Sequence, residues 1–432
     1  MRDRIAAAID VGTSKITTII ANVREEGQLH IIGVSSVDSK GLRKGQVVDI
    51  EDAKTAISIS LEAAERMAGS SVASAFVSVG GNHIGSQNSH GVVAVADPEK
   101  EISADDVRRV VDAAKAINLA SSRQILHVLP RGFIVDGQEG IADPIGMTGV
   151  RLEVDTHLVT GGMTAVRNLE KCVSELGVTV NGLVFNGLAS AMAVLSDTEK
   201  ELGVTLVDLG GGTTDVAVFV EGALSYSGVI PIGAKNITND LAIGLRVSLE
   251  SAEKIKLYLS EKPKAPAMPE DSPRKRAQAE DELDLSSLGL SEELKKVSRK
   301  TLVEGIIKPR LNEIFTMVGL EIKKSGFGGM TPSGLVICGG GANTVGIIES
   351  ARRNLVMPVR IGIPNNMSGL VDEILVPAFA TSVGLIHYGA KMLPSGETNA
   401  LFNLERMGKF TGKLPGKGAA GKLLELLKSF LP

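Results

Sequence analysis

The sequence predicts an α/β protein of two duplicated lobes, with a small α+β module inserted in the first. Three observations lead there. A buried strand runs through a glycine turn into a second buried strand near the N-terminus, and the same unit recurs after Thr205. The stretch from Ile84 to about Gly161 reads as strand-rich with one helix inside it, and so as a separate piece of the first half. A chain of 432 residues with 43% hydrophobic and 22% charged side chains suffices for several packed units.

The first unit is the strand Ile5–Val11, the turn Gly12-Thr13-Ser14-Lys15, and strands at Ile16–Asn22 and Leu29–Val34. Ala and Leu at helical spacing put a helix over Ile50–Met67, and Ser74–Ala96 reads as β-rich. A helix is expected over Ala104–Ile117, started by Ser103 as N-cap with Asp105 and Asp106 in its first turn. The second unit is Thr205–Asp208, the turn Gly210-Gly211-Gly212-Thr213-Thr214, and strands at Asp215–Val220 and Leu224–Val229. Helices over Ala234–Leu245 and Leu249–Leu259 follow. Residues 262–293 hold four prolines, acidic clusters and the run Arg274-Lys275-Arg276 with almost no apolar periodicity, so a disordered tract is expected. Helix is expected to resume at Glu292 and run to Lys324 with a break near Pro309. A strand Leu335–Cys338, the turn Gly339-Gly340-Gly341 and a helix Asn343–Leu355 come next, and 394–421 reads as a Gly, Lys and Pro-rich tether.

Composition removes several classes of function. With 46 Lys and Arg against 50 Asp and Glu, the net charge of −4 gives no field that would draw in nucleic acid, and the basic triplet at 274–276 is flanked by acids. Tryptophan is absent and Tyr and Phe are few, which argues against base-stacking platforms. Cys172 and Cys338 are far apart in apolar or Gly-rich runs, which indicates neither a disulfide framework nor a metal site, so a reducing cytoplasm is expected. The apolar run Ile5–Ile9 is too short for a signal-peptide core, and no stretch reaches the roughly 18 to 20 apolar residues of a spanning helix. Any membrane contact is then expected to be peripheral.

Backbone N–H groups in glycine turns converge on oxyanions, so two such turns can clamp a polyphosphate from both sides. Both turns join strand to strand, which separates them from the strand-to-helix phosphate loops of Rossmann and Walker type. Each is preceded by a carboxylate, Asp10 and Asp208, and paired carboxylates beside a polyphosphate suit a magnesium ion with retained waters. Lys15 adds a point charge. An isolated turn of this kind is ordinarily no more than a hairpin; the duplication is what points to a ligand.

Asp10-Val-Gly-Thr-Ser-Lys15, Asp208-Leu-Gly-Gly-Gly-Thr-Thr-Asp215 and Gly339-Gly-Gly-Ala342 resemble, in order and spacing, the phosphate and adenosine motifs of the superfamily of actin, heat-shock chaperones and sugar kinases. Asn186-Gly-Leu-Ala-Ser-Ala-Met-Ala193 and Pro377-Ala-Phe-Ala-Thr-Ser-Val-Gly384 resemble its two connecting helices. Within it the chain is similar over nearly its whole length to the FtsA family of bacterial cell-division proteins, including Val77-Ser-Val-Gly-Gly-Asn-His-Ile84 and Asn88-Ser-His-Gly91.

The resemblance implies an actin-like, ribonuclease H-like fold that binds ATP and Mg, polymerises on the inner membrane face, and tethers the tubulin-like FtsZ there through the FtsZ C-terminal tail. The partners so implied are FtsZ, further copies of the chain, the anionic inner membrane, and other division proteins at the inserted module, at the division septum. Nucleic acid is not among them. Carried over position by position, the implied ATP contacts are Gly12, Thr13, Ser14, Lys15, Gly210, Gly211, Gly212, Thr213, Thr214, Gly233, Glu253, Lys256, Gly340, Gly341 and Ala342, with Asp10 and Asp208 toward the metal. On spacing alone Glu253 and Lys256 read as a surface ion pair. Where hydrolytic relatives carry Glu or Gln, the matching residue is Asn186, which has no basicity; at most slow ATPase activity is expected, and Asn186 also reads as a plain helix cap.

The implied layout places the first lobe core at 1–83 and 162–195, the insert at 84–161, and the second lobe core at 196–235 and 330–392. A second-lobe subdomain takes 236–329, a tether 393–420, and a terminal amphipathic helix 421–432. On a helix, Leu423, Leu424, Leu426, Leu427, Phe430 and Leu431 fill an arc of about 160°, opposite Lys422, Glu425, Lys428 and Ser429. About 15 Å long, it can lie in a membrane interface but not span. Docking on a protein is the other reading of that face. Two other functions stay open at this point: a type IV pilus assembly ATP-binding protein, and a small-molecule kinase of the same superfamily.

Overall fold

A computed structural model describes residues 4–24, 28–96, 101–261, 281–292, 294 and 296–392. Strand β1 (Arg4–Val11) is mostly apolar because a sheet with both faces covered buries its side chains from Ala6 to Val11. It pairs antiparallel with β2 (Lys15–Val23), which pairs with β3 (Leu29–Asp38). A short hairpin, β4 (Leu42–Arg43) and β5 (Gln46–Val47), leads to α1 (Ile50–Ala68), whose N-cap Asp49 accepts from Asp52 N and whose C-cap is Gly69. β6 (Ser74–Val79) then lies parallel to β1.

The inserted stretch comprises β7 (Gly85–Ala94), α2 (Ala104–Lys115), β8 (Arg123–Val135), β9 (Gln138–Ile141) and β10 (Arg151–Gly162). Its four strands form their own sheet in the order β7-β10-β8-β9. Ser103 caps α2 as expected, within a reciprocal box in which Asp106 accepts from Ser103 N at 3.0 Å. The chain returns through α3 (Met163–Ser174), β11 (Thr179–Phe185) and α4 (Asn186–Val194).

After α5 (Asp197–Leu202), the second unit repeats the first. β12 (Val204–Leu209), β13 (Thr214–Val220) and β14 (Ala223–Ile230) are antiparallel neighbours, followed by α6 (Ala234–Leu245) and α7 (Leu249–Ser260). β15 (Glu282–Asp284) pairs with β16 (Lys296–Ser298), and β17 (Leu335–Cys338), β18 (Val359–Ile361) and β19 (Met367–Gly369) complete the strands. One lobe has the sheet β11-β6-β1-β2-β3-β19 and the other β14-β13-β12-β17-β18. In each, the strand with the carboxylate has an antiparallel partner on one side and a parallel one on the other: β2 and β6 for β1, β13 and β17 for β12.

Three apolar clusters hold these layers. α1 and α3 cover one face of the first sheet, and α6, α7 and the helices Lys308–Ser325 and Ile347–Leu355 cover one face of the second. The remaining cluster lies between the sheets around α4 and the helix Ala380–Met392. These two cross so closely that a Cβ on Gly384 would stand 1.7 Å from Ala189 O, which is why small residues fill both.

Three expectations change. Residues 292, 294 and 296–298 are not helical, because the Glu292 carboxylate accepts from Ser248 N at 2.7 Å and Ser251 Oγ at 2.6 Å, while 296–298 pair with β15. The helix starts at Arg299, passes through one π turn at Val303–Ile307 where Pro309 can offer no N–H, and ends at Ser325. The helix expected from Asn343 begins at Ile347, since amides in 341–345 bond to Leu209 O, Gly339 O, Gly341 O and Ser260 Oγ. Of the expected disordered tract, 281–292 is packed in part, with Leu285 fully buried. The rest of it, and the tether and terminal helix at 393–432, lie outside the described residues. Among the described residues no helix is long and apolar enough to cross a membrane.

Candidate functional site

Asp10 and Asp208 are each the penultimate residue of their strand, so both glycine turns sit directly above a buried carboxylate. Asp10 Oδ1 accepts from Ser78 Oγ at 2.8 Å and Oδ2 from Ser382 Oγ at 2.7 Å. Asp208 Oδ2 accepts from Ser190 Oγ at 2.5 Å and Thr381 Oγ1 at 2.8 Å. Ser190 on α4 and Ser382 on the helix Ala380–Met392 are polar interruptions of apolar helices, placed there to satisfy these carboxylates. Burial nonetheless raises the Asp208 pKa above the usual carboxylate range.

A third carboxylate joins them. Asp215 pairs in register with Asp208 across β12 and β13 and is 2% exposed. Its Oδ1 is buried with no hydrogen-bond partner among the described residues, and the same holds for Asn186 Oδ1 beside it. Burial first, and the Asp208 charge second, push Asp215 well above the usual range. The three acids line the same cleft, where a cation would offset their charge. Lys15 Nζ sits 3.1 Å above the centroid of the Phe379 ring, and burial lowers its pKa to about 8 although Asp10 and Asp208 pull it upward.

The turns meet across the interlobe space. A Cβ on Gly211 would lie 1.9 Å from Ser14 Oγ, so only glycine lets the second turn approach the first this closely. Thr13 is fixed from both sides, its Oγ1 accepting from Gly45 N at 2.9 Å and its carbonyl from Lys235 Nζ at 2.9 Å. Farther along, Lys256 is 7% exposed and donates to Thr238 Oγ1 at 2.9 Å and Glu253 Oε2 at 2.7 Å. The ion pair that the spacing suggests is thus present, its lysine buried and its carboxylate still 42% exposed at the cleft.

These groups line one cleft of about 610 Å³. Of the residues expected at a ligand, Asp10, Gly12, Thr13, Ser14, Lys15, Asp208, Gly210, Gly211, Thr213, Glu253, Lys256, Gly340 and Gly341 line it. Gly212 stands behind against Thr13, Gly233 lies under the second turn, Thr214 Oγ1 donates inward to Ile232 O at 2.7 Å, and Ala342 packs in the core. Asp215, Lys235, Thr238 and Asn186 also line it. Of these, Asn186 is singled out through the resemblance and Asp215 is legible as the acid closing the second turn, whereas Lys235 and Thr238 carry no such signal.

The donor set fits a hydrated divalent cation: hard carboxylate oxygens, one of them orphaned, beside space for an anion. Among the described residues no three ligating side chains converge at metal distance, so such an ion would take the rest of its shell from water and ligand.

Two family descriptions match the chain, "SHS2 domain inserted in FTSA" over residues 81–160 and "Cell division protein FtsA" over residues 205–384. It is 40% identical to the cell division protein FtsA of Pseudomonas aeruginosa over 91% of both chains. To that of Neisseria meningitidis it is 36% identical, over 96% of this chain and 97% of the other. Among solved structures, the PilM-PilN type IV pilus biogenesis complex matches with a TM-score of 0.56 at 14% identity, covering 89% of this chain and 98% of that one. The ethanolamine utilization protein EutJ of Carboxydothermus hydrogenoformans gives a TM-score of 0.50 at 16% identity, over 90% and 91%. The structural likenesses speak for an actin-like fold, and the sequence relatives decide among its bearers: the chain belongs to the FtsA family of cell division proteins.

Proposed function

We propose that this cell-division protein binds ATP with magnesium in the interlobe cleft, polymerises in that state on the cytoplasmic face of the membrane, and anchors FtsZ filaments there at the septum. The observation that carries the reading is the pair of glycine turns facing each other above Asp10 and Asp208. Backbone amides of 12–15 and 210–214 would take the phosphates, Lys15 and Lys235 would supply positive charge, and Glu253 and Lys256 would meet the nucleoside end. Asp10, Asp208 and Asp215 would hold the magnesium, largely through water. A cation held there would supply the positive charge that offsets the phosphates against the three acids. Asn186 can position a water but cannot take its proton, which supports slow turnover.

Membrane attachment is assigned to 421–432 by its apolar arc, with Lys409, Lys413 and Lys417 in the tether adding attraction to an anionic leaflet of about 1 kcal/mol each. The region 236–329 is assigned to the FtsZ tail and 84–161 to other division proteins. The test of the cleft is equilibrium binding of ATP to the full chain with and without magnesium. Binding that needs the metal supports the reading, and absence of binding refutes it.

A further inference from the structure

The inserted stretch is covalently part of the first lobe, yet its outer strand lies against the second. β7 and β14 are each the last strand of their sheet, and they meet through side chains and not through a backbone ladder. The Ser86 hydroxyl stands between two backbone groups of β14, donating to Ser227 O at 2.6 Å and accepting from Ser227 N at 3.2 Å. Asn88 Nδ2 donates to Ser225 O at 3.2 Å. Behind them, His157 on β10 donates from Nδ1 to Asn88 Oδ1 at 2.7 Å and accepts at Nε2 from Ser227 Oγ at 2.9 Å, the one neutral tautomer that suits both partners. Arg131 on β8 donates to Ser225 Oγ at 3.0 Å, and its guanidinium lies 5.1 Å from the Phe327 ring centroid, also in the second lobe.

We propose that this contact is a clasp between the lobes, whose making and breaking is coupled to nucleotide in the cleft. Hydroxyl, amide and imidazole groups find equivalent partners in water, so a polar seam of this kind opens at small cost, unlike an apolar core. The strand that carries it also reaches the cleft. β14 runs on to Ile232, held by Thr214 Oγ1, and then to Ala234 and Lys235, whose amides donate to Gly210 O and Gly211 O at 2.9 Å. A change in lobe separation that moves the second turn from Ser14 must therefore pull β14 along or shear it from Ser86. By linkage, whatever holds the clasp shut raises nucleotide affinity, and nucleotide holds the clasp shut. A partner that grips the inserted module could then read or set the nucleotide state.

The proposal rests on the cleft as a nucleotide site, and its test separates the two. In the full chain, Ser86→Cys with Ser227→Cys places two thiols across the seam, while Cys172 and Cys338 are buried. With oxidised glutathione, cross-linking should run faster with ATP and magnesium than without. The oxidised variant should hold ATP about fivefold tighter than the same protein after reduction. Ser86→Ala should weaken ATP binding by a similar factor at an unchanged fold. Equal cross-linking rates with equal affinities of both redox forms would overturn the clasp, as would Ser86→Ala binding ATP as tightly as wild type, a readout that holds whether or not the two thiols join. Wild type that binds no ATP would refute the cleft reading itself, and the clasp with it.

Discussion

A Cβ placed on Gly211 would come within 1.9 Å of the Ser14 hydroxyl, so the two halves of the duplicated fold touch at their glycine turns. Any side chain at 211 must displace the first turn or occupy the space in front of it. Gly211→Asp does both and adds a charge opposed to phosphate. ATP affinity should fall by about a hundredfold or more, read by equilibrium titration, with circular dichroism unchanged. Binding as tight as wild type would mean that the ligand lies elsewhere.

Turnover should be slow. Asn186 Oδ1 and Asp215 Oδ1 have no partner among the described residues and can each accept from one water, but the amide has no basicity and Asp215 is held toward its neutral form. In single-turnover assays, bound ATP should persist for many minutes. Asn186→Asp should change that rate rather than the affinity. Mainly ADP after a brief incubation would show that another group activates the water.

Lys15 supplies a pH signature. Burial holds its pKa near about 8 in the free protein. A phosphate taking the charged form would raise that value, so protons are bound along with ATP above pH 8. Affinity should therefore be flat below pH 7 and fall by up to about tenfold per unit above pH 8. Lys15→Met should bind more weakly and lose that slope. A wild-type profile without a decline between pH 8 and 9.5 would remove Lys15 from the phosphate site.

Asp106 is the point on which the inserted module's helix hangs. It is 1% exposed and accepts from Ser103 N, Ser103 Oγ, Ala96 N and Arg109. These bonds, led by those of Ser103, outweigh burial and hold its pKa far below the usual range. A depressed carboxylate stabilises the fold above its unfolded pKa, and the contribution fades as pH drops below about 4. Asp106→Ala should cost about 2 to 4 kcal/mol at neutral pH, seen as a lower Tm. The loss should shrink on acidification.

Much of this was legible in the sequence for a physical reason. Strands such as β1, β12 and β17 are buried on both faces and carry mostly apolar residues, and the turns that follow them are marked by glycine. The cleft's partners were less so, because Lys235, Thr238 and Asn239 come from one helix face that spacing alone does not aim at anything. Glu292 read as a helix start since it precedes an apolar-spaced segment, yet its carboxylate is drawn to two donors on α7, a tertiary contact with no local signature. Residues 343–346, expected as the first turn of a helix, differ likewise: Thr344 N turns back to Gly341 O and Val345 N is claimed by Ser260 Oγ from a distant part of the chain.

On the proposed function, nucleotide in the cleft governs attachment to membrane through the C-terminal segment. Co-sedimentation of the full chain with vesicles of anionic phospholipid, with and without ATP and magnesium, tests it most directly. Wild type should pellet more with ATP, because a filament presents many weakly binding segments at once. Gly211→Asp should show no response to ATP, and Phe430→Glu, with a charge in the apolar arc, should stay in solution while still binding ATP. Equal pelleting of all three proteins, with or without nucleotide, would contradict the claim.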